Sequence, residues 1–436
     1  MNPTSAQRPR VLFVAPELPH PPFTGAHTRP LSIVRALAHA HEVTVVGAAP
    51  AGADLSALEE AGARVVSLTM APYARSATRT ALSRGRQLLS PVPLIGRGYS
   101  PVVGRLAEET AGRIGADIVH LVSMYSCWYR NEGLPAVIDL LDVVSGLCES
   151  AAAAHPLRYA AARVQMRTSQ RLEIRQLARM AAVIAINDDD QARLARLGVR
   201  SAVVPLAMSV PGDDEIAGDE LSPAAASDRH SPAVAGVGEP SEGKPVELLF
   251  VGNFAHHPNR AAAAFLESEL VPEMRRRGLR FSLTIAGRGA GTVAGRRAAD
   301  GGAGEADADA RRADIAYLAD VPDLGRLYRA AGVVVEPIAF GGGTKNKTLE
   351  AMAWGKAVVG SGAAFSGIGA RAGEAYVRVP LERGAMAAAV AGLVADRRRR
   401  AAIGQAARAY VLRHHSQAIV DEAVAELYGR VLAARR

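Results

Sequence analysis

The feature that most constrains this chain is an alternation that occurs twice. Short apolar runs end in turn residues, and each is followed by a stretch with helical spacing. RVLFVAP, starting at Arg10, precedes RPLSIVRALAHAH, in which Leu31, Val34, Leu37 and Ala38 fall on one helical face. HEVTVVGAAP and DLSALEEAGARVVSL extend the pattern, as do ADIVHLV, LPAVIDLLDVV, AAVIAIN and SAVVPLA. Between the last runs lie helical patterns over about 155–181 and over DDDQARLARLG, the latter with Asn187 and Asp188 as caps. Strands that alternate with helices form parallel sheets, and parallel strands are covered on both faces.

The alternation stops at 211–245, a Pro-, Gly-, Ser- and Asp-rich stretch without apolar period that reads as a flexible linker. It resumes with VELLFVGNFAHHPN, AAAAFLESELVPEM, FSLTIAGRG, DIAYLADV, DLGRLYRAAGVVVEPI and AYVRVP. Residues 288–312 read as a surface insertion, and 384–433 are nearly all helix formers. The expected class is α/β, with two Rossmann-like, doubly wound parallel-sheet domains. The expected boundaries are 1–210 for the first domain, 246–385 for the second and 386–436 for C-terminal helices.

Composition narrows the function classes. Hydrophobic residues are 49% of 436, but aromatics only 5%, so the cores are built from Ala, Val, Leu and Ile. A net charge of +8 favours anionic partners without choosing among them. Cys127 and Cys148 are the two cysteines, which argues for a reducing cytoplasm and against a disulfide scaffold or cysteine metal cluster. No uninterrupted apolar run reaches about 18 residues, so any membrane contact is expected from the surface. Arg158, Arg163, Arg167, Arg171, Arg175 and Arg179 recur mostly every four residues, with Glu173 the one offsetting acid. A second basic stretch, YARSATRTALSRGRQLL, precedes them. These are either solvated helix faces or a cationic stripe for an anionic inner leaflet carrying lipid-linked acceptors. Basic residues interleaved with aromatics are absent, so no nucleic-acid partner is expected.

The richest chemistry lies in AFGGGTKNKTLEAMAWGKAVV, residues 339–359. AGVVVEPI before it is a predicted strand. Gly341, Gly342 and Gly343 leave backbone amides unshielded at the strand's carboxyl end, where open α/β sheets bind ligands. Thr344 is the expected N-cap of a helix over 345–354, Gly355 its C-terminal glycine, and Leu349, Met352 and Ala353 its buried stripe. The helix N-terminus with Lys345 and Lys347 makes a phosphate cradle. Glu350, one turn on, is suited to accept hydrogen bonds from sugar hydroxyls. The expected ligand is a nucleoside diphosphate. A glycine turn before an amphipathic helix with an internal Lys–Glu pair is the plainer alternative. The P-loop pattern is missing, and GxGxxG is missing from the strand-ending loops of the N-terminal half.

GGGTKNKTLEAMAWGKAVVGS resembles the donor-binding segment of glycosyltransferase family 4 and its relatives, and more narrowly bacterial sugar transferases of exopolysaccharide systems. RVLFVAPELPHPPFTGAHTRPLSIVRALAHAHEVTVV, VELLFVGNFAHHPN and VPDLGRLYRAAGVVVEPI carry the same likeness. The resemblance implies a GT-B enzyme moving a sugar from a nucleotide diphosphate sugar, with retention and without a metal. It implies a saccharide, lipid-linked or small-molecule acceptor, a cytoplasmic location with possible inner-membrane contact, and a last helix crossing back to the first domain. It assigns Glu350 to the ribose. The diphosphate falls to Lys345, Lys347, Thr344 and the amides of Gly342 and Gly343, with Gly25 approaching from the other domain.

Several positions depart from the family pattern. A second acid common in relatives, eight residues before Glu350, is replaced by Gly342; Glu336 is the nearest acid upstream. A basic pair after the second domain's first strand is also missing: the strand ends in Gly252, Asn253 and Phe254, with Gly252 and Asn253 the donor-binding positions, Asn253 replacing the first basic residue, and Arg260 the nearest base. His256 and His257 lie in that loop. His120 matches a histidine of the acceptor-side cleft, or is a core histidine. Asp142, with Asp139 as rival, matches an aspartate after the next strand. No general base is assigned, because in retaining enzymes of this fold the leaving phosphate itself assists. An epimerase of the same fold and a non-catalytic nucleotide-sugar-binding protein are the alternatives.

Overall fold

The computed structural model describes residues 8–21, 25–70, 100–144, 146, 170–217, 245–291, 315–321, 323–341 and 343–435. The first sheet holds β1 (Arg10–Glu17), β2 (Glu42–Pro50), β3 (Ala63–Met70), β4 (Ile118–Val122), β5 (Ala136–Asp139), β6 (Ala182–Ala185) and β7 (Ala202–Val203). Their order is β3-β2-β1-β4-β5-β6-β7, and every pairing is parallel. The second holds β8 (Val246–Val251), β9 (Phe281–Gly287), β10 (Ile315–Ala319), β11 (Val333–Glu336), β12 (Ala357–Gly360) and β13 (Val377–Arg378). Its order, β10-β9-β8-β11-β12-β13, repeats the same winding, again all parallel. In both sheets the order reverses beside the first strand, between β1 and β4 and between β8 and β11. Such reversals open the crevice in which doubly wound sheets take ligands.

The helices used below are α1 (Gly25–Ala38), α2 (Pro101–Ile114), α3 (Asp188–Arg196), α4 (His257–Phe265), α5 (Gly325–Ala330), α6 (Asn346–Ala353), α7 (Arg383–Ala395), α8 (Arg397–His414) and α9 (Gln417–Ala433). Asn187 caps α3 as the sequence suggests, its Oδ1 accepting from the Asp190 amide at 2.7 Å. The chain divides into two compact units. One comprises 1–207, 342–344 and 415–436; the other comprises 208–341 and 345–414.

The first unit shows why its strands read as unbroken apolar runs. Along β1, Val11, Phe13 and Ala15 face one core, and Leu12 and Val14 face the other. The first core is closed by Leu31, Ile33, Val34 and Leu37 of α1 together with Val420, Val424, Leu427, Tyr428 and Val431 of α9. The second is closed by Val103, Ala107 and Ala111 of α2. Burying one such aliphatic side chain contributes roughly 1.5–3 kcal/mol, so the two stripes are what hold α1 and α9 in place. Into the first core α1 also drives Arg29, which is 1% exposed. Its guanidinium donates from Nε and Nη2 to the two carboxylate oxygens of Asp139, each at 2.9 Å, and from Nη1 to the Pro205 carbonyl.

Part of the stretch read as linker is structured. Asp213–Ala217 is helical. Its three leading acids suit a helix N-terminus, and Glu215 Oε2 accepts from the Gly212 amide at 2.9 Å. Arg408 ties it down, donating to Pro211 O at 2.7 Å and Asp213 Oδ1 at 2.9 Å. The stretches expected as the basic segment 73–89, most of the 155–181 helix and most of the 288–312 insertion lie outside the described residues.

Two substitutions test this packing. Removing one partner of a buried ion pair strands the other charge, so Arg29→Met should cost about 3–5 kcal/mol, with Arg29→Met/Asp139→Leu recovering much of it. The midpoint of thermal unfolding of each variant measures this. In the second unit, a Cβ on Gly404 of α8 would come 2.0 Å from the Gly355 carbonyl oxygen. Gly404→Ala should therefore lose about 1–3 kcal/mol by overpacking, visible as a lowered midpoint, whereas Gly429→Ala, which meets nothing, should not.

Candidate nucleotide-sugar site

The second unit's switch point is framed by the loops that follow β8 and β11. Gly287 ends β9 with φ +126°, and a Cβ there would come 2.2 Å from Gly252 O. Gly252 itself donates its amide to Ala286 O at 2.9 Å. Gly341 (φ +139°) and Gly343 (φ +65°) occupy backbone conformations that favour glycine. Gly342, named by the sequence as the place of the missing acid, lies outside the described residues.

Helix α6 begins one residue later than expected. Its N-cap is Lys345, without a side-chain cap bond. Thr344 does not cap, because its hydroxyl oxygen accepts from Asn187 Nδ2 at 2.9 Å, both residues being counted in the first unit. The helix closes as anticipated. Gly355, at φ +67°, donates its amide to Met352 O at 2.9 Å, and Leu349, Met352 and Ala353 are fully buried.

The functional side chains of α6 are each held by a separate partner. Lys347 Nζ donates to Asn259 Oδ1 of α4 at 3.0 Å and lies 4.3 Å from the centre of the Phe250 ring. Burial pushes Lys347 down to about 8, against the opposing pull of the Glu336 carboxylate; Lys345 lowers it further. Glu350 Oε2 accepts from the Tyr328 hydroxyl at 3.2 Å. Burial holds Glu350 above the usual carboxylate range, the Tyr328 bond opposing that and Glu336 adding to it. Tyr328, on α5, is fully buried and stacked on Trp354 at 6.1 Å. Glu336 is 1% exposed at the end of β11, with Thr348 Oγ1 2.6 Å from its Oε2. Burial raises it too, less the opposing effects of Lys347, Thr348 and Lys345. Its place is structural: it braces the start of α6 and lends charge to Lys347.

The loop after β8 spends its polar groups on itself. Asn253 Oδ1 accepts from the Ala255 amide at 3.0 Å, and its carbonyl accepts from Asn259 Nδ2 at 2.8 Å. Arg260 folds back, donating from Nη1 to Phe254 O and Ala255 O at 2.7 Å each. His256 is the N-cap position of α4, and the His257 ring lies 5.5 Å from that of Phe340.

In the first unit, Gly25 is the first residue of α1. His120 sits at the middle of β4 and not at its end, 0% exposed. Its ring stacks on Phe13 at 4.4 Å, and its Nδ1 lies 2.7 Å from Tyr428 Oη. Burial pushes it down to about 4, the opposing pull of Asp139 outweighed. It is a neutral core histidine and does not face an open cleft. The cause is register: the side chain falls on the strand face covered by α1 and α9. Asp139 is spent on Arg29. Asp142 is half-buried, and a Cβ on Gly343 would come 2.3 Å from its Oδ1. Of the basic stripe, Arg171, Arg175 and Arg179 are described, and all are exposed. Glu173 does not offset them, because it points inward and accepts from the Val144 amide at 3.0 Å. Arg158, Arg163 and Arg167 lie outside the described residues. Spacing could not reveal Asn259, Phe250 and Tyr328, which come to α6 from other elements.

A protonated Lys347 attracts a phosphate, and the neutral amine does not. Nucleoside diphosphate affinity should therefore be highest below pH about 8 and fall as pH rises through that value. Lys347→Arg, which keeps its charge, should flatten the fall. Calorimetric titration across that range checks both.

Comparison with known proteins places the chain. Residues 24–207 match the family model "Glycosyl transferase 4-like domain", and residues 245–396 match "Glycosyl transferases group 1". A comparison with curated proteins finds no match. Among solved structures, sucrose-phosphate synthase from Thermosynechococcus elongatus is similar over 98% of this chain and 100% of its own, at 16% identity and TM-score 0.69. Anabaena HepE in complex with UDP is similar over 97% and 100%, at 15% and 0.63. WaaG, a glycosyltransferase involved in lipopolysaccharide biosynthesis, is similar over 96% and 100%, at 15% and 0.57. With two parallel α/β units of the GT-B type and both halves matched by their models, the chain belongs to the group 1 and group 4-like glycosyltransferases.

Proposed function

We propose that the second unit binds a nucleoside diphosphate sugar and that the enzyme transfers the sugar to an acceptor hydroxyl. The observation that carries this is the separation of roles along α6. Lys347 is aimed by Asn259 and Phe250, and Glu350 by Tyr328. A cation for phosphate and a carboxylate for ribose hydroxyls thus sit one turn apart at the β8/β11 switch point. HepE has been solved with UDP and with UDP-glucose, which supports a nucleotide sugar as donor.

In the proposed reaction, the bond from the anomeric carbon to the diphosphate oxygen breaks and the electron pair leaves with the diphosphate. The acceptor oxygen forms the new bond on the face just vacated, so configuration is retained, and its proton passes to the leaving phosphate. Lys345 and Lys347 stabilise the departing charge. On this reading the diphosphate requires no metal. The acceptor is a saccharide, a lipid-linked molecule or a small molecule, and exposed Arg171, Arg175 and Arg179 suit an anionic membrane surface.

The test is a thermal-shift screen of nucleoside diphosphates and nucleotide sugars, since a ligand of the folded state raises the midpoint. One of them should stabilise the wild type. Glu350→Ala, which loses hydrogen bonds to a charged group worth about 1.5–3 kcal/mol, should weaken that ligand roughly 10- to 100-fold. No stabilisation by any of them would overturn the reading.

A further inference from the structure

The structure assigns a divalent transition-metal site to Glu17, His20 and His27, at the carboxyl end of β1. Glu17 is the last residue of that strand, His20 lies in the loop after it, and His27 is the third residue of α1. Three segments of one crossover thus bring two imidazoles and a carboxylate together. One ligand atom from each lies within 4.8 Å of the others. The two rings are 5.1 Å apart and tilted by 46°, so they are not stacked for packing.

The distances suit an ion better than a direct contact. Glu17 Oε1 is 3.7 Å from His20 Nε2 and 3.8 Å from His27 Nε2. Charge-assisted hydrogen bonds are about 2.7–2.9 Å long. Two ligands each about 2.1 Å from a tetrahedral ion stand about 3.4 Å apart, which a small inward movement reaches.

The state of His20 points the same way. Its Nδ1 lies 2.9 Å from the Pro21 carbonyl, so Nδ1 carries the proton in the neutral ring. The lone pair is then on Nε2, a buried atom without a hydrogen-bond partner, 3.7 Å from Glu17 Oε1. Metal-bound histidines are oriented by such a carbonyl on the far nitrogen. The His20 side chain is 16% exposed and that of His27 10%, whereas Glu17 is 58% exposed, leaving the solvent side as the way in.

Two imidazoles and one carboxylate select a borderline ion of the zinc class over magnesium or calcium, which prefer oxygen. The positive end of α1 works against a cation, and the Glu17 carboxylate supplies the offsetting charge. Three protein ligands leave a fourth position for water or an anionic oxygen. A bound ion would tie the carboxyl end of β1 to the first turn of α1, at the first sheet's switch point. The site lies wholly in the first unit and is independent of the Glu350 argument.

Calorimetric titration of the full chain with zinc chloride at about pH 7.5 tests the site. One ion should bind per chain, and cobalt(II) should show the visible bands of a low-coordinate nitrogen–oxygen site. Glu17→Gln removes one carboxylate from an exposed position, so it preserves the fold. It and His20→Ala should each weaken zinc by more than about tenfold, the least expected even of an outer-shell change. His39→Ala, an exposed histidine outside the cluster, should bind as the wild type does. Magnesium chloride should give no heat of binding. Wild-type affinity in Glu17→Gln and His20→Ala, or no zinc binding by the wild type, would overturn the assignment.

Discussion

Every central strand of both sheets is buried on its two faces, so its ends are where it can meet a ligand. The parallel arrangement then aligns all carboxyl ends along one edge. At the β8/β11 reversal that edge opens, and the candidate residues lie there: Gly252, Lys347 and Glu350. Glycine is needed at Gly287 for a simple reason. The backbone of Gly252 passes so close that a methyl group would strike its carbonyl.

Burial gives the same edge its electrical character. Lys347 loses water and is lowered, Glu336 and Glu350 lose water and are raised; Glu336 and Lys347 moderate one another, and Glu336 adds to the rise of Glu350. Neighbouring groups whose protonation free energies are pushed toward neutrality respond strongly to a new charge. A diphosphate is such a charge. It would hold Lys347 in its ammonium form to higher pH.

Much of this was legible in the chain. Apolar runs and helical spacing predicted two parallel α/β units, because covered parallel strands must be apolar throughout. The candidate donor segment could be singled out because glycines, lysines and one acid lie within twelve residues. What was not legible depends on long-range partners. Nothing local says that Asn259 aims Lys347 or that Tyr328 holds Glu350. His120 could be read as a cleft or a core histidine, and its register places it in the core against Phe13 and Tyr428. Thr344 had the right type for a cap, but Asn187 claims its hydroxyl. The acids of 213–215 looked like linker because their anchor, Arg408, is almost 200 residues away.

Helix α9 fills the first core with Val420, Val424, Leu427, Tyr428 and Val431, though α8, just before it, belongs to the second unit. The ribosome therefore makes the first unit's closing piece last. Until about residue 431 has emerged, β1 and α1 lack the apolar lid that completes them. While the second unit is synthesised, the apolar faces of β1 and α1 that α9 covers are without that helix.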